Sequence, residues 1–277
     1  MKWKSLLGNK GVFTMIYIDR NDRFLDSSTS KGNQIKWVHN NKYIKADTMG
    51  YESVSEALVS EFLKYVKGID FVDYTMCQIN EDGKIYEGCC CDNFLSKGEE
   101  VVTLYRLLKL YGYIDKNGNL LCDSDKRVEF VISKVRKITE VDIRKYIYDT
   151  IKIDYIIRNE DRHLNNICLI KGNNGYRPAP IFDNGLSLLS DTSDYPLTNI
   201  RTDILIRKVK AKPFYTSFEK QFNYTDKKPL LLDYDGFIDS LSRCYVEFKD
   251  KEFERAAAVL TYNLLNLGGK VWIQQKR

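Results

Sequence analysis

Two aspartates and an asparagine that could hold a cation and steer a hydroxyl stand in one stretch of the chain. Residues 158–166 read Arg158-Asn159-Glu160-Asp161-Arg162-His163-Leu164-Asn165-Asn166, and Asp183 follows in Pro180-Ile181-Phe182-Asp183-Asn184-Gly185. Asn166 lies five residues after Asp161, and Asp183 seventeen after Asn166. Phosphoryl-transfer sites of the kinase type use this order: an Asp that takes or orients the proton of the attacking hydroxyl, an Asn five residues on that binds a metal, and a second Asp that holds the metal on the ATP phosphates. Mg²⁺ suits such donors, because it takes one or two carboxylate or amide oxygens and completes its octahedron with water and phosphate.

The intervening residues predict how these groups meet. Residues 167–170 form an apolar run of strand length, Gly172-Asn173-Asn174-Gly175 is strong turn chemistry, and residues 178–182 would return as a second strand. Pro178 and Pro180 suit an edge position. A hairpin of this kind brings Asn166 and Asp183 to one end. Any one of these residues alone reads as a polar loop or an Asn-Gly turn; the ordered set favours the catalytic reading.

A second set lies upstream. Strands are predicted at 35–38 and 42–46 around an Asn40-Asn41 turn, with Tyr43 and Lys45 on one face. Ser53 with Glu56 reads as a capping box opening a helix whose stripe is Ala57, Leu58, Phe62, Leu63 and Val66, closed by Gly68. Lys45 would reach the phosphates of ATP and Glu56 would fix it, with Glu61 as rival partner. The loop 27–34, which holds Ser28, Ser30 and its single glycine Gly32, would cover the phosphates with backbone N–H groups.

Asp161-Arg162-His163 with Asn166 and Asp183 resembles the HipA-like serine/threonine kinases, and in the Asp-Arg-His order also the phosphoinositide 3/4-kinases. Lys31-Gly32-Asn33-Gln34-Ile35-Lys36-Trp37, Tyr43-Ile44-Lys45-Ala46-Asp47 and Gly88-Cys89-Cys90-Cys91-Asp92-Asn93-Phe94-Leu95 are similar to a compact bacterial branch of that family. The resemblance spans about residues 26–218. It implies an α+β, two-lobed kinase-like fold, with a small, mostly β lobe over 1–92 and a larger, mostly α lobe over 93–277. It implies ATP and Mg²⁺ as cofactors, with Asn166 and Asp183 as metal ligands, and a protein substrate with a Ser or Thr acceptor. It also implies a loop serine, Ser28 or Ser30, that autophosphorylates, and an operon-encoded protein among the partners to consider. The departures are that ordinary protein kinases place His-Arg before the Asp, and that Asn184-Gly185 replaces their Phe-Gly after the metal-binding Asp. The lobe boundary would fall at 87–92, where Glu87, Cys89 and Cys91 would offer backbone groups to adenine; a buried strand end is the equal alternative for the triple cysteine.

Bulk properties are ordinary for a soluble globular protein. The chain has 277 residues, 43 Lys+Arg against 38 Asp+Glu, and a 43% hydrophobic share. The mild positive charge gives no argument for nucleic acid, no apolar run has membrane-spanning length, and no signal-peptide apolar region follows Met1-Lys2-Trp3-Lys4. Seven cysteines without a C-x-x-C pair read as reduced thiols in a cytoplasmic protein, and two histidines exclude a histidine metal cluster. Helices are expected at 99–110, 127–135, 140–158 (capped by Thr139), 237–248 and 253–267, and an activation or substrate segment after Ser190. The basic run Arg201, Arg207, Lys208, Lys210 and Lys212 reads as a solvated face, with docking of an acidic or phosphorylated partner as the sharper alternative. Other functional readings are a lipid or small-molecule kinase, which lacks an evident membrane-binding helix, and a nucleotide-binding toxin–antitoxin-type scaffold without turnover, which the intact Lys, Asp, Asn and Asp set argues against.

Overall fold

The computed structural model describes residues 14–23, 34–198, 200–247 and 250–275. The loop carrying Ser28, Ser30 and Gly32 lies outside the described residues. The first half of the chain builds one mixed sheet. Its strands are β1 (Thr14–Ile18), β2 (Lys36–His39) and β3 (Lys42–Ala46), then, after α1 (Glu52–Leu63), β4 (Thr75–Glu81) and β5 (Lys84–Asp92). The spatial order is β1-β4-β5-β3-β2, with β1 parallel to β4 and the other neighbours antiparallel. Asn40 and Asn41 both take positive φ, 49° and 60°, as a two-residue hairpin turn requires.

The second half is mostly helical. β6 (Glu100–Thr103) leads directly into α2 (Leu104–Leu110), followed by α3 (Arg127–Thr139) and α4 (Arg144–Ile157). Then come β7 (Cys168–Gly172), β8 (Gly175–Pro178), α5 (Thr202–Ile206), α6 (Phe218–Asn223), β9 (Leu230–Leu232), α7 (Tyr234–Glu247), α8 (Lys251–Leu267) and β10 (Trp272–Gln274). β6, β7 and β8 make a small antiparallel sheet in that order, so β8 with its Pro178 is an edge strand. The architecture is α+β and two-lobed: a β-rich amino-terminal lobe and a larger helical one.

Four sequence expectations are corrected. The helix expected over 99–110 begins as strand β6, because Val101 and Val102 pair with Ile170 and Leu169 of β7 and β-branched residues fit a pleated surface. The helix expected over 140–158 with Thr139 as its cap starts later, at Arg144: α3 runs to Thr139, whose hydroxyl donates back to the Val135 carbonyl, and Glu140 turns at φ 63° before α4. Ser53 and Glu56 form no capping box. Ser53 lies inside α1, and both its N–H and hydroxyl donate to Asp47, at 2.7 and 2.6 Å, so Asp47 satisfies the helix start from outside. Finally, residues 87–92 are mostly sheet interior: β5 pairs with β4 as far as Cys90 and with β3 from Gly88 to Asp92, so Cys91 and Asp92 pair with β3 alone.

α1 is buried along its whole length, as a helix enclosed on all sides must be. Its Leu58, Val59, Phe62 and Leu63 share one core with Ile153 and Ile156 of α4 and with Ala256, Val259 and Leu260 of α8. A separate cluster on the sheet joins Trp37, Ile44, Cys77 and Ile79.

Candidate active site

α4 delivers the chain to the loop of Asp161 through Arg158, which takes the left-handed conformation at φ 56° and ends the helix. The loop is then braced from inside by Arg162. Its guanidinium is 1% exposed and bonds both oxygens of buried Asp154, at 3.1–3.2 Å. It also donates to the carbonyls of Asn166 (3.3 Å) and Phe182 (2.5 Å) and to the Asn184 amide oxygen (2.5 Å). One side chain therefore ties the Asp161 loop to the Asp183 segment. Burial pushes the Asp154 carboxyl up, to about 6, with Arg162 offsetting part of the cost.

Asp161 and Asn166 are locked to each other: the Asn166 amide nitrogen donates to the Asp161 carbonyl at 3.0 Å, while Asp161 N–H donates to Asn159 Oδ1 at 2.9 Å. His163 Nδ1 accepts from the Asn165 N–H (3.2 Å), which puts the ring proton of the neutral tautomer on Nε2, 3.6 Å from Asp161 Oδ2. Burial lowers the His163 pKa, against the opposing pull of Asp161.

From the sheet, Lys45 Nζ reaches Glu56 Oε1 at 2.9 Å and Asp183 Oδ1 at 2.7 Å. Glu56, not Glu61, is the partner; Glu61 Oε1 accepts from Ser240 on α7 instead. The second oxygen of Glu56 accepts from Asn184 N–H at 2.9 Å, so α1 holds both the lysine and the backbone beside Asp183. Burial alone would lower the Lys45 pKa, but Asp183 and Glu56 outweigh it and hold the ammonium well above the ordinary lysine range. Burial alone would raise the Asp183 carboxyl; Lys45, with Lys36 and Arg162, reverses this and holds it well below the ordinary range. Asp183 takes φ 60°, a conformation Asp tolerates better than most residues.

Asp161, His163, Asn166, Asp183 and Gly185 line one small depression, where the donor set fits a hard cation. The bond from the Asn166 amide nitrogen leaves its amide oxygen as the ligand atom, and Asp183 engages Lys45 through one of its two oxygens. Beside it opens a cleft of about 1200 Å³ between sheet and helical lobe, lined by Lys36, Tyr43, Lys45, Phe94, Leu95 and Asp183 among others, large enough for a nucleotide. A further acidic group, Glu160 with Asp191 and Asp194, brings carboxylate oxygens within 4.8 Å of one another. These oxygens already accept bonds from the Tyr195 hydroxyl and from the N–H groups of Ser193 and Asp194.

The remaining predicted positions divide. Cys89 and Cys91 pack with Val72 and Tyr74 behind the cleft, and burial raises both thiols, Cys91 to about 12. Glu87 faces outward to Gln78. The antiparallel register pairs residues 88–90 on both sides and leaves the β4 side of Cys91 and Asp92 unpaired, just before Phe94 and Leu95, which line the cleft. Sequence reasoning did not assign two groups that the fold brings here. Lys36 lines the cleft, and Lys212 donates to Asp161 Oδ1 at 2.9 Å. Lys36 sits on the strand before Lys45 and follows the same two-residue face logic; Lys212 had no local signal.

No protein-family profile matches the sequence, and no curated protein sequence matches it. The structure is similar to that of the Helicobacter pylori proinflammatory kinase CtkA, with a TM-score of 0.58 and 17% identity over 86% of this chain and 89% of that one. It also aligns with the Shewanella oneidensis HipA toxin, solved with HipB and operator DNA, at a TM-score of 0.47 and 12% identity over 86% of this chain and 61% of that one. The chain has the two-lobed kinase fold of CtkA, the fold that its resemblance to the HipA-like kinases implies.

Proposed function

We propose that the chain is an ATP-dependent kinase that requires Mg²⁺ and phosphorylates a Ser or Thr hydroxyl of a protein. The observation that carries this reading is Lys45, buried and bonded at once to Glu56 and Asp183, in a cleft that adjoins the depression lined by Asp161, Asn166 and the same Asp183. A lysine held by two carboxylates stays charged and fixed, which is what binding a polyphosphate demands. Asn166 and Asp183 are the residues that would hold Mg²⁺, which when bound neutralises the phosphate oxygens.

In the transfer, the acceptor oxygen forms a bond to the γ-phosphorus while the bond from that phosphorus to the bridging oxygen breaks. ADP leaves with the electron pair of that bond. The hydroxyl proton passes to a carboxylate oxygen of Asp161 and from there to water. Asp161 is held by its own backbone bond to Asn159 and by the loop that Arg162 braces, so its contribution is orientation as much as basicity. Phe94 and Leu95 would cover the adenine end.

The test is incubation of the protein with γ-labelled ATP, Mg²⁺ and dephosphorylated casein, in parallel with Asp161→Asn. Label on Ser or Thr of the acceptor or of the chain itself, absent with Asp161→Asn, is the expected result. Label that appears only in a small molecule or lipid, or that persists in Asp161→Asn, overturns the reading.

A further inference from the structure

We propose that Lys212 is a catalytic residue of this site, a cation supplied from outside the catalytic loop that faces the acceptor side of Asp161 and neutralises the phosphoryl group in flight. The inference rests on the kinase reading above. Lys212 Nζ lies 2.9 Å from Asp161 Oδ1, with the lysine side chain about two-fifths exposed and that of Asp161 14% exposed. The lysine comes from the segment between α5 and α6, fifty-one residues downstream.

That segment is pinned. Val209 and Ala211 turn into the main core, Ala211 N–H donates to the Thr216 carbonyl, Phe214 N–H donates to buried Gln221, and Arg127 donates to the Phe214 carbonyl. Arg207, Lys208 and Lys210 are exposed, so Lys212 is the member of the basic run that turns to the loop. Of the other cations nearby, Arg162 is turned into the core on Asp154, Lys45 is held by Glu56 and Asp183, and Lys36 reaches the depression from the sheet, where it acts on Asp183. His163, on the other oxygen of Asp161, is biased to its neutral form by burial.

Lys212 holds one oxygen of the carboxylate and His163 Nε2 lies 3.6 Å from the other; each carboxylate oxygen offers two lone pairs, so an acceptor hydroxyl can bond Asp161 beside them. The ammonium then sits within about one hydrogen-bond relay of the attacking oxygen and of the equatorial oxygens of the phosphoryl group. In a loose transition state the charge is spread over those oxygens, and a fixed cation there stabilises transfer more than it stabilises bound ATP. Bond making and breaking are as given above. Lys212 donates hydrogen bonds and keeps its proton throughout.

The experiment measures ADP formation and casein labelling with Mg²⁺ and ATP for the full chain, Asp161→Asn, Lys212→Ala, Lys212→Arg and the exposed neighbour Lys210→Ala. Lys212→Ala is expected to lose about a hundredfold or more in kcat, the size of effect that removing one transition-state donor has, with KM for ATP within about threefold. Lys212→Arg should keep a substantial part of the rate. Added ethylammonium should restore Lys212→Ala at least tenfold and leave the wild type and Asp161→Asn unchanged, because a half-exposed cavity admits a small amine. Lys210→Ala should stay within twofold of wild type. Unchanged turnover in Lys212→Ala overturns the inference, and so does a loss accompanied by a lowered melting temperature without amine rescue. If Asp161→Asn is dead while Lys212→Ala is active, this inference alone falls; if the wild type transfers no label at all, the kinase reading falls and takes this one with it.

Discussion

At the scale of single residues, the site is a balance of charges that burial would otherwise punish. Lys45, Glu56 and Asp183 are 8%, 1% and 20% exposed at their side chains and share two short bonds. The sign of their effect on stability follows from the directions of the shifts. Asp183 is held below the ordinary carboxylate value, so its contribution is present above about pH 4 and lost as pH falls further; Lys45 is held above the ordinary lysine value, so its contribution is complete below about pH 10 and lost only on rising through its elevated pKa. Lys45→Met strands two carboxylates and is expected to cost about 3–5 kcal/mol near neutrality. Thermal melts of wild type and Lys45→Met should differ most near neutrality, and the gap should narrow on acidification as the stranded carboxylates of the variant, raised by burial, take up protons; a gap that widens on acidification would contradict the assignment. Asp183→Ala should reduce phosphoryl transfer about a thousandfold or more and remove the Mg²⁺ dependence of ATP binding, read by transfer rate and by nucleotide titration with and without the metal. Asp161, Asn166, Asp183, Lys45 and Glu56, which the fold brings close together, stand out as candidates in the sequence because each is announced by its own neighbourhood: a fixed spacing, an Asn-rich turn, a strand face, a helix. Lys212 was not, because nothing near residue 212 records that it folds back onto residue 161.

At the scale of elements, the pieces that read correctly are those whose local chemistry is decisive, and the pieces misread are those that a partner decides. The β2–β3 hairpin follows from Asn40-Asn41 and the β7–β8 hairpin from residues 172–175. β6 was read as helix because its apolar residues fit either period; the pairing with β7 chose strand. Glu56 looked like a capping residue because the box pattern is local, whereas Lys45 and the Asn184 N–H, brought from two other segments, claim it. The triple cysteine at the expected lobe boundary straddles the end of β4: Cys89 and Cys90 are paired on both sides, and Cys91 with β3 alone. The loop of Asp161 depends in the same way on one long-range brace. Arg162→Leu leaves Asp154 buried without its cation and should destabilise the fold by about 3–5 kcal/mol. The double variant Arg162→Leu/Asp154→Leu should recover most of that stability in chemical denaturation, since apolar residues can replace a buried pair. It should not recover phosphoryl transfer, because the carbonyls of Asn166 and Phe182 lose their donor. Recovery of both together would show that the brace has no part in positioning the loop.

At the scale of the whole molecule, the amino-terminal sheet and the helical lobe are joined by more than a linker. α1 belongs to the small lobe by sequence, but its core is shared with α4 and α8. It is stitched to the segment after Asp183: the Tyr51 hydroxyl donates to the Leu188 carbonyl (2.9 Å), the Ser55 hydroxyl to the Ser187 carbonyl (3.0 Å), and Tyr51 N–H to the Ser190 carbonyl (3.2 Å). Leu188 and Leu189 both sit at positive φ, 53° and 63°, a conformation that branched residues adopt only where the surroundings impose it. Gly50 marks how close this contact is: a Cβ there would lie 2.0 Å from the Ser190 carbonyl oxygen. Gly50→Ala should therefore push the α1 start away from the 187–192 segment, loosening Glu56 from Asn184 and slowing transfer while leaving the β2–β3 hairpin intact. The proposed division at residues 92 and 93 is then a division of shape and not of stability. Trp37, fully buried in the sheet cluster outside the shared core, reports on the small lobe once Trp3 and Trp272 are replaced by Phe in every protein compared, since Trp272 packs on the shared core; far-UV circular dichroism reports mainly on the helices. Urea unfolding followed by both signals should give one coincident transition in the wild type, because the sheet loses its buried helix when the helical lobe opens. In Gly50→Ala the two curves should separate, with the tryptophan signal moving first. Two transitions already present in the wild type would show that the lobes are stable by themselves, and that α1 is a passenger of one of them instead of the joint between both.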